Sequence, residues 1–236
     1  MGANGDLPRA KCSVIIPCWN DGEALQFLLA RMARMRGVDQ VVVVDASAGE
    51  DCAACGRAMG ALVVKSAPSR GVQLNLGAQH ADGDIFLFQH ADSDLTQAHL
   101  DALHRAMEQS DVVGGAFHRQ FDRRHAKLRF LAPIARAWAH RGGTLYGDQS
   151  IFVRRAVFER LGGFAEIPLM EDVEFSPRLR RAGRTVVLDP PMASSPRHHL
   201  RRGALRTSLR NGVMIALFRA GYPAQKLHAW YYRSPE

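Results

Sequence analysis

The sequence predicts an α/β protein whose mostly parallel central sheet is flanked by helices. Short β-branched runs at 13–17, 41–45 and 84–88 alternate with stretches whose apolar residues recur at helical spacing. Strands and helices alternating at these lengths imply βαβ crossovers, which join parallel strands. The length of 236 residues suits one large domain, with a core that needs no disulfide or metal staple.

Ser13-Val14-Ile15-Ile16-Pro17 reads as a buried strand ended by proline. Leu25, Leu28, Leu29, Met32 and Met35 then fall on one face of a helix over 23–35. Val41 to Val44 form a second buried strand, and its apolar run stops at Asp45. A short helix at 52–59, a strand at 61–65, a helix at 71–81, a strand at 84–88 and a helix at 95–107 follow. The second half is less regular. Strands are expected at 112–120, 149–153 and 185–188, and helices at 128–140, 155–161 and 171–181. Gly162-Gly163 stops one of these helices, and Pro177 must sit in the first turns of another or kink it. Leu205, Leu209, Val213, Leu217 and Ala220 predict an amphipathic helix in the tail. No internal repeat or low-complexity linker interrupts the chain.

Composition is ordinary for a globular protein, at 47% hydrophobic and 23% charged. The charge is lopsided: residues 1–110 carry −4 and residues 111–236 carry +12, within a total of +8. Only Lys11, Lys65, Lys127 and Lys226 are lysines, so the excess is arginine. Arg-favouring codons explain such a bias. So does a C-terminal half that meets phosphates, where the guanidinium fork fits well. Basic and aromatic residues do not interleave, so nucleic acid is not an expected partner. The polar Met1–Lys11 segment does not read as a signal peptide, and no run approaches the ~18 apolar residues of a membrane span. Cys12, Cys18, Cys52 and Cys55 lack the two close pairs of a zinc site and read as small buried residues. A reducing cytoplasm is the expected compartment.

In open parallel sheets, ligands bind outside the carboxyl ends of the strands. Those ends here carry Pro17-Cys18-Trp19-Asn20-Asp21, then Asp45, then His90-Ala91-Asp92-Ser93-Asp94. An aromatic side chain can cover a base, and a carboxylate can accept from a base or ribose. Neighbouring carboxylates can hold Mg²⁺ or Mn²⁺ against a diphosphate. Taken one at a time, Asp45 and Asp94 also suit helix caps; their joint placement favours a ligand site. Neither G-x-G-x-x-G nor a P-loop is present, so phosphates must be met by a cation and arginine, with Arg70 a candidate.

These residues resemble the inverting family 2 glycosyltransferases of the GT-A fold, from Ser13 to about Arg210. Ser13 to Asp21 is similar to that family's opening strand and P-x-Y-N-E turn, with Trp19 in place of tyrosine. Val43-Val44-Asp45-Ala46-Ser47 resembles V-V-D-x-x-S, and Arg70-Gly71 through Asn75, Gly77, Ala81, Gly83 and Asp84 resembles the R-G-x-x-x-N stretch. Tyr146-Gly147-Asp148-Gln149, Gly162-Gly163-Phe164 and Met170-Glu171-Asp172-Val173-Glu174 continue the likeness. The first and last of these most resemble a bacterial subfamily named for radical-SAM and selenium-related gene neighbourhoods. One departure stands out: the D-x-D step falls on His90-Ala91-Asp92, and Asp92-Ser93-Asp94 is two residues out of register.

The resemblance implies a single domain. Residues 12–110 would be a nucleotide-sugar-binding half, 111–200 an acceptor and catalytic half, and 201–236 a basic amphipathic tail. It implies Asp172 as general base beside Glu171, and donor contacts from Pro17, Trp19, Asn20, Asp45, Arg70, Asn75 and Ala91. Asp148, Gln149, Gly163 and Phe164 would line the sugar or acceptor pocket, although Gly163-Phe164 also reads as a C-cap with a core aromatic. Asp92, with His90 and Asp94, would hold the Mg²⁺ or Mn²⁺. His198, His199, Arg201 and Arg202 would close a basic loop over the diphosphate. The partners implied are a nucleoside diphosphate sugar and a hydroxyl acceptor, and the missing Q-x-x-R-W argues against polymer synthesis. His90 in place of aspartate suggests the alternative, a nucleotide-binding module with weakened catalysis. Arg201, Arg202, Arg206 and Arg210 flank the tail's apolar face. Such a helix packs on the core or, as the alternative, touches an anionic membrane that carries a lipid-linked acceptor.

Overall fold

The computed structural model describes residues 9–119, 142–193 and 204–233, with the side chains of the last segment from 210 to 232. The expected helix at 128–140 and the loop residues His198, His199, Arg201 and Arg202 lie outside the described residues. So does the side chain of Arg206.

Along the chain run β1 (Cys12–Cys18), α1 (Gly22–Met32), β2 (Gln40–Asp45), α2 (Asp51–Ala58), β3 (Leu62–Lys65) and α3 (Arg70–Gln79). Next come β4 (Ile85–Phe88), α4 (Gln97–Met107), β5 (Val112–Arg119), a 3₁₀ turn (Gly147–Gln149) and β6 (Phe152–Arg154). The series closes with α5 (Arg155–Arg160), α6 (Glu171–Ala182), β7 (Arg184–Met192), α7 (Ala204–Arg219) and α8 (Ala224–Arg233). The sheet order is β3-β2-β1-β4-β6-β5-β7. Strands β1 to β4 are mutually parallel, β6 runs antiparallel to both its neighbours, and β5 pairs parallel with β7. This mixed sheet with helices on both faces is the GT-A fold that the resemblance implied.

Period-two alternation splits the strands between two apolar layers. Val14 and Ile16 of β1 face Leu25, Leu28 and Leu103 of α1 and α4, whereas Ile15 meets Leu74 and Ala78 of α3 in the opposite layer. That second layer holds an aromatic group in which Phe175 lies 4.5 Å from Phe164 and 5.7 Å from Phe158, ring to ring. Both faces of the central strands are covered, which is why β1 and β2 read as unbroken apolar runs.

Several expected boundaries move. The strand expected from 149 begins only at Phe152, because Gln149 closes a 3₁₀ turn: its side-chain oxygen accepts the Tyr146 N–H at 2.8 Å. Helix α4 starts at Gln97 and not Leu95, because the Thr96 N–H is taken by His99 Nδ1 at 3.1 Å. Strand β7 continues past Leu188 through Pro190 and Pro191. Proline lacks a ladder donor, which is tolerated here because β7 is the sheet edge.

The tail differs most. It forms two helices, separated at Gly221, whose φ is +89°. Met214 and Leu227 are its buried anchors, and the expected stripe residues Val213 and Leu217 are exposed. Residues four apart drift by about 40° per step around a helix, so such a stripe does not hold one face. The Arg219 guanidinium donates to Thr144 Oγ1, which ties α7 to the segment before the 3₁₀ turn.

Candidate active site

The parallel register of β1, β2 and β3 sets Cys18, Asp45 and Lys65 side by side at the strand ends. Asp45 is fully buried, and its carboxylate accepts the Lys65 ammonium and the Ser47 N–H, each at 2.9 Å. Burial works to raise its pKa; the Ser47 and Lys65 hydrogen bonds outweigh that and hold it below the usual carboxylate range. Ser47 Oγ in turn accepts the Asn20 N–H at 2.7 Å. This fixes the turn that carries Trp19, a residue 61% exposed. Gln73 braces the same edge from α3, donating to Cys18 O at 3.1 Å and Val44 O at 2.9 Å.

A second cluster centres on Arg70, the first residue of α3. Its Nε lies 3.0 Å from Glu171 Oε1, and another guanidinium nitrogen contacts His90 Nε2. Gly147 packs so tightly under Arg70 that a Cβ there would lie 1.9 Å from Nη2. The Gly147 N–H donates to Asp172 Oδ2 at 2.7 Å, and the Val173 N–H donates to Asp172 Oδ1 at 2.7 Å. Asp172 therefore stands in the first turn of α6 with both carboxylate oxygens accepting backbone N–H groups. Pro17, Arg70, Gln89, His90, Gly147 and Asp172 line one small cavity.

Protonation states in this cluster diverge. Burial raises the Glu171 pKa, and neighbouring Asp172 adds to the rise against the opposing pull of Arg70. Burial and the Arg70 guanidinium push His90 well below 6.5, so its ring is neutral at pH 7. Backbone strain collects at the same place. Asn20, Ser150 and Met170 are the non-glycine residues with positive φ among the described residues, at 52°, 52° and 73°. Each adjoins a segment of the site: the β1 turn, the Gly147 turn and the start of α6.

The remaining expected site residues divide. Asp92 is partly exposed, with Oδ1 4.0 Å from His90 Nδ1. Asp94 is instead engaged by Arg31 of α1. Ala91 packs into the apolar layer of α1 and α4. Asn75 clamps the loop before α6: it donates to Phe164 O at 2.9 Å and accepts the Phe164 N–H at 2.8 Å. Gly163, at φ +73°, lies against that clamp, where a Cβ would come within 2.6 Å of Asn75 Oδ1. Phe164 is 3% exposed and belongs to the aromatic core while also touching the cavity. Asp148 pairs with Arg119 at 3.0 Å, and Gln149 spends its amide on Phe117 O and Tyr146 N.

The donor set suits a hard cation with one carboxylate, Asp92, completed by ligand oxygens and water. His90 Nε2 faces Arg70, and its Nδ1 lies 4.0 Å from Asp92 Oδ1. Cys18, Asp45 and Cys52 also present ligand atoms within 4.8 Å of one another. Those two buried thiols suit a thiophilic ion and not Mg²⁺ or Mn²⁺.

Four contributors escaped sequence reasoning: Lys65, Gln73, Gln89 and the backbone of Gly147. Gln73 lies on the buried side of α3 among Gly71, Leu74, Gly77 and Ala78, and Gln89 directly follows the apolar run of β4, placements that signal buried hydrogen bonding. Gln89 is fully buried with Oε1 unpartnered beside the cavity. Lys65 carries no such signal, because only strand pairing brings it to Asp45.

Comparison with known proteins places this arrangement. Solved structures of similar fold include a mannosyltransferase from Pyrobaculum calidifontis in complex with GDP-Man and Mn²⁺. It is 21% identical, with a TM-score of 0.67, over 95% of this chain and 70% of that one. Another is glucosyl-3-phosphoglycerate synthase from Mycobacterium tuberculosis in complex with Mn²⁺, UDP and glucosyl-3-phosphoglycerate. It is 19% identical, with a TM-score of 0.62, over 91% of this chain and 81% of that one. An uncharacterized protein of Mycobacterium tuberculosis, MT1568, is 32% identical over 111 residues, 44% of this chain. The match spans about a third of that relative, 34% of its length. The family pattern of glycosyl transferase family 2 matches residues 13–162, more than half of the sequence, and the chain belongs to that family.

Proposed function

We propose that this protein transfers a single sugar from a nucleoside diphosphate donor to a hydroxyl acceptor, inverting the anomeric carbon, with Asp172 as general base. The observation that carries this reading is the convergence of Arg70, His90 and Asp172 on one cavity at the carboxyl edge of the parallel strands. Trp19, Asp45 and Ser47 form the adjoining edge, where a nucleoside would lie. Arg70 faces the place of the diphosphate and stabilises charge as the leaving oxygen departs. Asp172 takes the proton of the acceptor hydroxyl as that oxygen attacks the anomeric carbon. Its hydrogen bonds from Gly147 and Val173 keep the carboxylate oriented before the reaction. Glu171 holds Arg70, and neutral His90 packs against the same guanidinium without adding charge. Mg²⁺ or Mn²⁺, where Asp92 and the donor diphosphate hold it, supplies charge neutralisation at the leaving group.

The solved relatives with GDP-Man and Mn²⁺, or with UDP and Mn²⁺, support a nucleotide-sugar donor. Exposed Val213, Leu217, Tyr222 and Trp230 on α7, α8 and the turn between them are what a peripheral membrane contact would use. No helix among the described residues is long and apolar enough to cross a membrane. Binding to anionic vesicles no stronger than to neutral ones would dismiss the peripheral contact.

The test is thermal stabilisation by a panel of UDP-, GDP- and dTDP-sugars with and without Mn²⁺, followed by assay of nucleoside diphosphate release. Stabilisation by one base class, strengthened by Mn²⁺ and accompanied by turnover, is expected. No stabilisation by any nucleotide removes the donor site, and stabilisation without turnover leaves the weakened module as the better reading.

A further inference from the structure

Cys18 and Cys52 are 34 residues apart in sequence, and the fold brings their sulfurs to 3.0 Å. Cys18 ends β1, and Cys52 is the second residue of α2. Both are buried free thiols. Cys52 is placed as the attacking thiol of the two: its sulfur accepts the Cys18 S–H, lies 3.4 Å from the Ser47 hydroxyl and sits in the first turn of α2. Burial and the adjacent Cys52 sulfur keep the Cys18 thiol protonated. Cys52, although 1% exposed, lines with Cys55, Asn20, Glu23 and Ser47 the floor of an open cleft beside α1 and α2.

We infer that Cys52 and Cys18 form an oxidative modification site, in which Cys52 reacts with a hydroperoxide and Cys18 resolves the product into a disulfide. The Cys52 thiolate attacks one peroxide oxygen; an S–O bond forms, the O–O bond breaks, and the leaving hydroxide takes up the thiol proton as water. Cys18 sulfur then attacks the sulfenic sulfur of Cys52. The S–S bond forms, the S–O bond breaks, and a second water leaves with the Cys18 proton. Two thiols together lose two electrons, and one hydrogen peroxide is reduced to two waters.

Bonded sulfurs lie about 2.05 Å apart, so closure draws the end of β1 and the start of α2 together by about 1 Å. Asp45 stands within 4.8 Å of both sulfurs, and Trp19 follows Cys18 directly. Oxidation therefore distorts the edge where a nucleoside would lie. This consequence rests on the donor-site reading; the disulfide does not.

The experiment treats the reduced full chain with hydrogen peroxide and follows free thiols, intact mass and disulfide-linked peptides. Expected are loss of two of the four thiols, loss of two hydrogens in mass reversed by dithiothreitol, and a peptide joining Cys18 to Cys52. Cys55→Ser retains the link and Cys52→Ser abolishes it. Retention of all four thiols, or a link confined to Cys52 and Cys55, overturns the site. UDP and GDP titrations of the reduced and cross-linked chains then test the consequence, with affinity expected to fall about tenfold on oxidation (about 1.4 kcal/mol). Equal affinity in both states overturns the coupling. Absence of nucleotide binding in either state refutes the donor reading instead, and the peptide map still decides the disulfide.

Discussion

The Gly147 N–H donates to Asp172 Oδ2 at 2.7 Å, joining the 3₁₀ turn after β5 to the first turn of α6. The turn thus reaches across 25 residues to one oxygen of the proposed base, and the adjacent Val173 N–H donates to the other. Asp172→Asn keeps the shape and removes the proton acceptor. Its kcat for sugar transfer is expected to fall by about 10²–10⁴-fold, with the melting temperature and donor affinity little changed. Turnover that survives the substitution unchanged would reject Asp172 as the base.

Gly147 itself is a sensitive position, because a Cβ would fall 1.9 Å from Arg70 Nη2 and 3.4 Å from Asp172 Oδ2. Gly147→Ala is expected to displace the guanidinium and lower kcat/KM by about tenfold or more, since misplacement by ~1 Å can cost up to about 10²-fold. Circular dichroism should show the fold retained. Wild-type kinetics from this variant would show that Arg70 is free to move.

Asp92 and Asp94 spell the same motif and face different partners. Asp92→Asn is expected to weaken the Mn²⁺-dependent part of nucleotide affinity by roughly 10–100-fold. Asp94→Asn removes only a contact with Arg31 on α1 and should leave that affinity within about twofold, the ~0.5 kcal/mol range of surface changes. Isothermal titration of UDP and GDP with and without Mn²⁺ separates the two. Equal losses in both variants would place the cation elsewhere.

Lys65→Met strips the buried Asp45 carboxylate of its ammonium partner while keeping the aliphatic stem. Breaking the pair is expected to lower stability, by less than loss of a fully buried pair would because Lys65 is 39% exposed. Asp45 has a folded-state pKa below its ordinary 3.8, so its stabilising contribution is complete above that value and is lost as pH falls through the folded pKa. The stability gap between wild type and Lys65→Met, read by urea denaturation, should be wide at pH 7 and close below about pH 4. A gap that stays constant into acid would show that the pair contributes no charge-dependent stability.

Much of the proposed donor side was legible because it is local. A parallel strand buried on both faces is mostly apolar, so β1, β2 and β4 announce themselves, and the polar residues that follow each run mark the sheet edge. Asp45 and His90 stand at those strand ends for this reason, and Glu171 and Asp172 were legible as the acidic start of a helix. The tail was misread because its apolar residues recur four apart, while burial of Met214 depends on the surface that α7 meets.

The amino-acid sequence by itself determined the α/β class, the order of the first four strand–helix pairs and the set of polar residues at the sheet edge. It did so because burial and helix periodicity act over a few neighbouring residues. Only the tertiary structure decided which of those residues meet. It joined Arg70 to Glu171 and His90, paired Asp45 with Lys65, turned Asp94 toward Arg31 and brought Cys18 to Cys52. Such contacts depend on strand register and helix docking between distant segments, and no local pattern encodes them.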